Sequence, residues 1–264
     1  MRAALGIARK ELSVYFTTPV AWVVLVVVAF FSAQFFAGAL EGFRYLATRA
    51  LQLKSSGLLD RMNLTDMVVA RLFGSVALFL LITAPFLSMR LIAEEVRSST
   101  FELLMTTPVR PVEIVLGKFA AALCVLAASL VIVASYPALL ALLGAGASGG
   151  GAVEWPTVAT GLLGLFLLGG MALAVGLFFS AVTDTPVVAA LLALLVLLGL
   201  WVATMFTIGA GEPLRRLAEA LSASEHLASF LQGRIDLADV LYYVSLAALG
   251  LFLADRAVEA RRWA

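Results

Sequence analysis

The residues best placed to do chemistry lie together, in Glu94-Glu95-Val96-Arg97-Ser98-Ser99-Thr100-Phe101-Glu102-Leu103-Leu104-Met105-Thr106-Thr107-Pro108-Val109, a charged stretch between two long apolar runs. Their chemistry is recognition: carboxylates and a guanidinium interleaved with apolar side chains offer a soluble partner both charge and contact. Ser99 and Glu102 have the spacing of a capping box, so a helix of about two turns is expected to begin near Thr100 and to stop by Thr107, before Pro108. Phe101, Leu104 and Met105 give it an apolar side, and Glu94, Glu95, Arg97 and Glu102 supply orienting charges. A charge run in a loop is ordinarily a solvated face; here the capping and the abrupt stop favour a presented docking helix. Pro111 suits the first position of the next helix, which continues through Lys118.

Other chemistries find little support. The glycine-rich stretch Gly144 to Gly151 lacks the Gly-Lys-Ser/Thr ending that cradles phosphate, and reads as a flexible loop. Cys124 is the sole cysteine, which excludes an internal disulfide, and His226, the sole histidine, suits a hydrogen-bonded structural role better than metal ligation. No metal site and no cofactor bound by this chain are expected. The apolar runs contain no ionisable residue, whereas proton- and ion-driven pumps keep such groups in their helices. Intramembrane hydrolysis would need paired acids, an activated serine or metal ligands at depth. The chain is therefore not expected to be an enzyme, and the energy for any transport comes from elsewhere. Ala172 and Gly176 form a small-xxx-small pair, too common in an Ala/Gly-rich chain to carry weight alone.

The elements that must position the charged stretch follow from composition. With 62% hydrophobic residues, 13% charged residues and a mean hydropathy of +1.05, the chain reads as an all-α integral membrane protein forming one domain over 1–264. Five uncharged gaps predict spanning helices near Val20 to Leu40, Leu72 to Met89, Phe119 to Leu143, Thr157 to Val182 and Val187 to Gly211. A sixth, Val240 to Ala254, covers only about 22 Å as a helix and needs snorkelling or a thinned bilayer to cross. Six spans with both termini cytoplasmic place ten Lys and Arg inside against eight outside; leaving the sixth uncrossed reverses that bias, to seven against eleven. The first span is read as uncleaved, although Ala37-Gly38-Ala39 formally fits a signal-peptidase site.

Three segments outside the spans complete the organisation. Residues 1–18 place Leu5, Ala8, Leu12, Tyr15 and Phe16 on one helical face, favouring a helix in the membrane interface over a plain extension of the first span. Residues 92–118 hold the docking region. In 212–238, Leu214, Leu217 and Leu221 form one apolar stripe and Leu227, Phe230 and Leu231 another, after Ser224 as an expected N-cap. Two short helices dipping in from the outer side and a small external hairpin both fit that pattern.

Glu94-Glu95-x-Arg97-x-x-Thr100-x-Glu102-Leu103-Leu104-x-Thr106-x-Pro108-Val109, followed by Glu113-Ile114-Val115-Leu116-Gly117-Lys118-Phe119, resembles the segment between the second and third spans of ABC-2 type permeases, with the gliding-motility and nitrous-oxide-reductase-maturation branches as nearest relatives. A second resemblance lies in Ser224-x-His226-x-x-Ser229-Phe230-x-x-Gly233-x-Ile235-Asp236-x-x-Asp239 and Tyr242-Tyr243. The resemblance implies a multi-pass subunit of a bacterial cytoplasmic (inner) membrane, paired with a second permease copy or paralogue and with two separate ABC ATPase subunits that carry ATP and Mg. It implies that a short coupling helix involving Glu94, Glu95, Arg97, Thr100, Phe101, Glu102, Leu103 and Leu104 sits in a cleft of the ATPase. It also implies re-entrant outer helices near the dimer axis, with His226 and Phe230 as candidate outer gate residues. Export is the expected role; the alternative is a mechanical module of an envelope or motility machine, driven by the same kind of ATPase without translocation. A periplasmic or envelope accessory protein and membrane lipid are further expected partners, and nucleic acid is not.

Overall fold

The computed structural model describes residues 2–53, 63–98, 109–144, 153–207 and 211–261, and among them helices and short connections account for the whole architecture, with no strand. In chain order the helices are α1 (Arg2–Thr17), α2 (Pro19–Gln52), α3 (Ala70–Ser88), α4 (Ala93–Arg97), α5 (Pro111–Gly144), α6 (Trp155–Val182), α7 (Pro186–Trp201), α8 (Glu212–Leu221), α9 (Ala223–Leu231) and α10 (Leu237–Arg261). A π-helical turn, Thr65–Val69, leads into α3, and a 3-10 turn, Ala203–Thr207, follows α7. Five segments are long and apolar enough to cross a membrane: Pro19–Gln52, Thr65–Arg97, Pro111–Leu142, Trp155–Val182 and Leu237–Arg261. The shorter apolar helix Pro186–Trp201 accompanies them.

α6 is the central post. It is buried along most of its length, including Leu165, Leu168, Met171, Leu173 and Leu177. Its glycines let neighbours approach closely: a Cβ added at Gly161 would meet the Phe73 ring of α3 at 2.5 Å, and one at Gly169 would meet Leu126 of α5 at 2.7 Å. A Cβ at Gly176 would fall 1.9 Å from the Ser88 hydroxyl, so the small-xxx-small pair lies at a true α3–α6 crossing. α2 stands further out, tied by Tyr136, whose hydroxyl donates to the Ala29 carbonyl at 2.9 Å, and by packing of Phe31 and Phe35 on Phe79.

Several expectations need correction. α2 continues to Gln52, about 50 Å in all, because charge after Leu40 ends an apolar run and not a helix. The predicted fifth span ends at Trp201 and passes into the 3-10 turn, where Met205 and Phe206 are exposed. The weak sixth run belongs to a 25-residue helix. Asp239 and Asp255, which bound its apolar stretch, are buried inside the bundle, where Asp239 meets His226 and Asp255 meets Arg256. At the Asp239 end, pairing within the protein replaces the expected snorkelling, whereas at the other end Asp255 pairs with the half-exposed Arg256 beside it. Ser222, not Ser224, takes the N-cap position of α9 and makes no side-chain capping bond, while Ser224 donates to the Trp201 carbonyl at 3.0 Å. α1 turns the face bearing Ala4, Ile7, Glu11 and Tyr15 to the bundle and leaves Leu5 and Phe16 exposed. Gly117 permits this, since a Cβ there would strike the Ala4 carbonyl oxygen at 2.8 Å and Ile7 at 2.9 Å.

The α4 end of the bundle and the α8–α9 end lie at opposite termini of α6. With Cys124 replaced by alanine, single cysteines at the exposed Ser98 and Glu225 are therefore expected to react with impermeant thiol reagents from opposite sides of the membrane. Labelling of both from one side would contradict that arrangement.

Candidate functional site

α4 has five residues, too few for stability on its own, and only Ala93 in it is buried. Other elements hold it. The Ser180 hydroxyl of α6 accepts from the backbone N–H groups of Ile92 (3.1 Å) and Ala93 (3.0 Å) and donates to the Met89 carbonyl (2.8 Å), so one side chain satisfies the whole α3–α4 turn. The Tyr15 hydroxyl of α1 donates to the Leu87 carbonyl at 2.9 Å. Burial, with the Glu11 carboxylate adding to it, raises the Tyr15 phenol above its ordinary range and keeps it a donor.

The third tie is ionic. Lys118 of α5 is 1% exposed, and its Nζ donates to Glu11 Oε1 of α1 at 2.9 Å and to Glu95 Oε1 of α4 at 2.8 Å. A compact ammonium with three donors is suited to bridging two carboxylates from separate elements. Nearby, Arg261 of α10 donates from Nε to the Ala181 carbonyl at 2.8 Å and pairs through Nη2 with Asp184 at 2.8 Å, fastening the last helix to the α6–α7 turn.

Of the residues expected to form the docking site, Glu94 is exposed on α4 with its Oε2 3.9 Å from Arg90 Nε, and Arg97 is exposed in the last turn of α4. Glu95 turns inward to Lys118. Thr100, Phe101, Glu102, Leu103 and Leu104 lie outside the described residues, as does the expected Ser99–Glu102 capping box. Beside α4 a groove of about 400 Å³, lined by Arg90, Glu94, Arg97, Pro186 and Val187 among others, separates it from the start of α7. Sequence reasoning missed Glu11, Lys118, Tyr15 and Ser180. Lys118 left the clearest signal, as the last charge before a long apolar run.

At the opposite end, α9 seats into α6. Phe230 is fully buried, its Cβ 2.7 Å from where a Gly164 Cβ would stand, and its carbonyl accepts from the Thr160 hydroxyl at 3.0 Å. His226 is partly exposed. Its Nδ1 lies 2.7 Å from Asp239 Oδ1, its Nε2 lies 3.2 Å from the Ala220 carbonyl, and its ring stacks on Tyr242 at 4.0 Å between centroids. Tyr242 and Tyr243 donate to the Leu221 and Ala223 carbonyls, both at 2.7 Å, so α10 caps the α8–α9 joint. After α9 the chain reverses at Gly233, whose φ of 77° suits glycine. α8 itself leaves Leu214, Leu217 and Leu221 exposed. Phe230 thus faces the chain's own core, and His226 is the more accessible of the two candidate gate residues.

Among the described residues no group of His, Cys, Asp and Glu could hold a metal ion. No curated protein matches the chain. A family model described as ABC-2 family transporter protein matches residues 5–244, from the first turn of α1 into α10. Because that match takes in both ends of a multi-pass helical bundle, including the α4 junction and the α8–α9 joint, the chain belongs to the ABC-2 family of transporter proteins.

Proposed function

We propose that this chain is the membrane-spanning permease subunit of an ATP-driven exporter, powered by separate ATPase subunits that bind ATP and Mg. The family match over residues 5–244 carries the reading. In it, the α4 end faces the cytoplasm of a bacterial inner membrane with both termini, and the segment around Thr100 to Leu104, flanked by Glu94 and Arg97, docks in the ATPase. Closure of two ATPases on nucleotide rocks two permease chains as rigid bodies and opens the path between them toward the outside. The α8–α9 pair serves as the outer gate element, with Phe230 anchoring it in α6 and His226 joining it to α10. This chain contributes binding, orientation and movement, while hydrolysis belongs to the partner.

Two measurements test the reading together. Reconstituted alone, the chain is expected neither to hydrolyse ATP nor to transport under an ion gradient. Extracted gently from its own host, it is expected to bring an ATPase with it, in an assembly of two permease-type chains and two ATPase chains. A native mass showing a monomer without ATPase, or ion-driven transport by the lone protein, would count decisively against it.

A further inference from the structure

We propose that the Glu95–Lys118 ion pair, braced by Glu11, is a staple across the base of the docking segment, and that Lys118 determines whether movement of that segment reaches the spans. The inference rests on the docking reading above and separates two properties that reading leaves joined: gripping the ATPase and transmitting its stroke.

The placement of the three residues carries it. Glu95 stands just before the point where the chain leaves α4, and Lys118 stands in the third turn of α5, the helix the chain enters on its return. Their 2.8 Å contact therefore closes the stems on either side of the segment against each other. The 2.9 Å contact with Glu11 adds α1, which packs on α5 at Gly117 and is held to the end of α3 by Tyr15. Without a cross-tie, a load on the segment would bend α4 about its turn while α5 stayed in place, because α4 buries almost nothing of its own. With the tie, α3, α4, α5 and α1 form one block at this end, and displacement of the segment becomes displacement of the spans.

The site is also sensitive to loss of its cation. Two carboxylates from different helices share one ammonium that is 1% exposed. Removing the ammonium leaves like charges facing each other in a partly desolvated site, and these drive α4 away from α1 and α5. Glu94 and Arg97 stay exposed on α4 after that change, so the charges they offer a partner persist while the base beneath them loosens. Lys118 is a positioning residue in this account and touches neither nucleotide nor cargo.

The test uses the full chain in complex with the ATPase that accompanies it, in a Cys124→Ala background with Met205→Cys as a reporter in the 3-10 turn beyond α7, where the residue is 68% exposed. Lys118→Met is expected to retain the ATPase within about twofold of the parent while its nucleotide-dependent change in thiol labelling falls by about fivefold or more. ATP turnover then continues without the far-end response. Lys118→Arg, which keeps a cation between Glu11 and Glu95, is expected to retain the response. Should Lys118→Met fail to accumulate, Glu95→Gln, which leaves Lys118 paired with Glu11, must show the same uncoupling. A parental response in Lys118→Met or Glu95→Gln overturns the proposal, and so does a loss that Lys118→Arg shares, since that marks a packing defect. A parent chain that brings no ATPase overturns the docking reading itself, a result none of the Lys118 variants can mimic.

Discussion

Phe101→Asp is expected to release the ATPase, lowering the amount that co-purifies by about a hundredfold, which corresponds to roughly 3 kcal/mol of docking free energy. An aromatic side chain in a docking segment is the type of anchor that dominates small interfaces. Aspartate there must either be buried without a partner or hold the surfaces apart. Insertion in the membrane is expected to stay normal, because position 101 lies between α4 and α5 and outside every candidate span. Co-purification and ATP turnover of the gently extracted complex provide the measurement. An intact complex turning over normally would remove the docking role from this segment. The contrast with Lys118→Met is diagnostic: one variant loses the partner, whereas the other keeps the partner and loses its effect.

The long apolar helices were legible because their signal is local. Charge-free runs mark the long apolar parts of α2, α3, α5 and α6, and Pro111 does open α5 as its fixed φ suggests. Hydropathy says less about where helices end. Residues 41–52 are charged and mixed yet remain helical, whereas 202–207 are uncharged and still mostly apolar yet leave α-geometry. The backbone's hydrogen bonding, to which hydropathy is blind, decides both cases. For α10 the short apolar run misled because a buried, paired aspartate and a snorkelling one look alike in sequence.

The candidate site was readable only where it is contiguous. Glu94, Glu95 and Arg97 announce a charged junction, but their spacing says nothing of Lys118, which Glu95 meets from α5. Ser180 clamps residues almost ninety positions away, and Glu11 meets Lys118 across a separation of 107. Their types are unremarkable, and only the close approach of α1 to α5 and of α3 to α6 gives them roles. Gly117 and Gly176 make those approaches, and in an Ala/Gly-rich membrane chain such glycines are hidden by their number.

Gly250→Leu is expected to destabilise the bundle by about 2–3 kcal/mol, at the upper end of overpacking costs, whereas Gly38→Leu is expected to leave it unchanged. A Cβ on Gly250 would meet the Ala174 carbonyl carbon and oxygen at 3.0 Å and the Val175 nitrogen at 3.2 Å, while one on Gly38 meets nothing within 4 Å. The difference from Gly176 is instructive, because there the nearest atom is the Ser88 hydroxyl, which can rotate away at the loss of its bond to Ala84. At Gly250 the obstacle is helix backbone, which yields only if α10 moves off α6. That movement strains both ends of α10, since Tyr242 and Tyr243 cap the α8–α9 joint at one end and Arg261 holds Asp184 and Ala181 at the other. Thermal unfolding of the detergent-extracted protein distinguishes the variants: Gly250→Leu melts lower, while Gly38→Leu follows the parent. Equal melting of the two would mean that α10 is not seated on α6 at Gly250, and the caps that α10 places on the outer helices would lose their foundation.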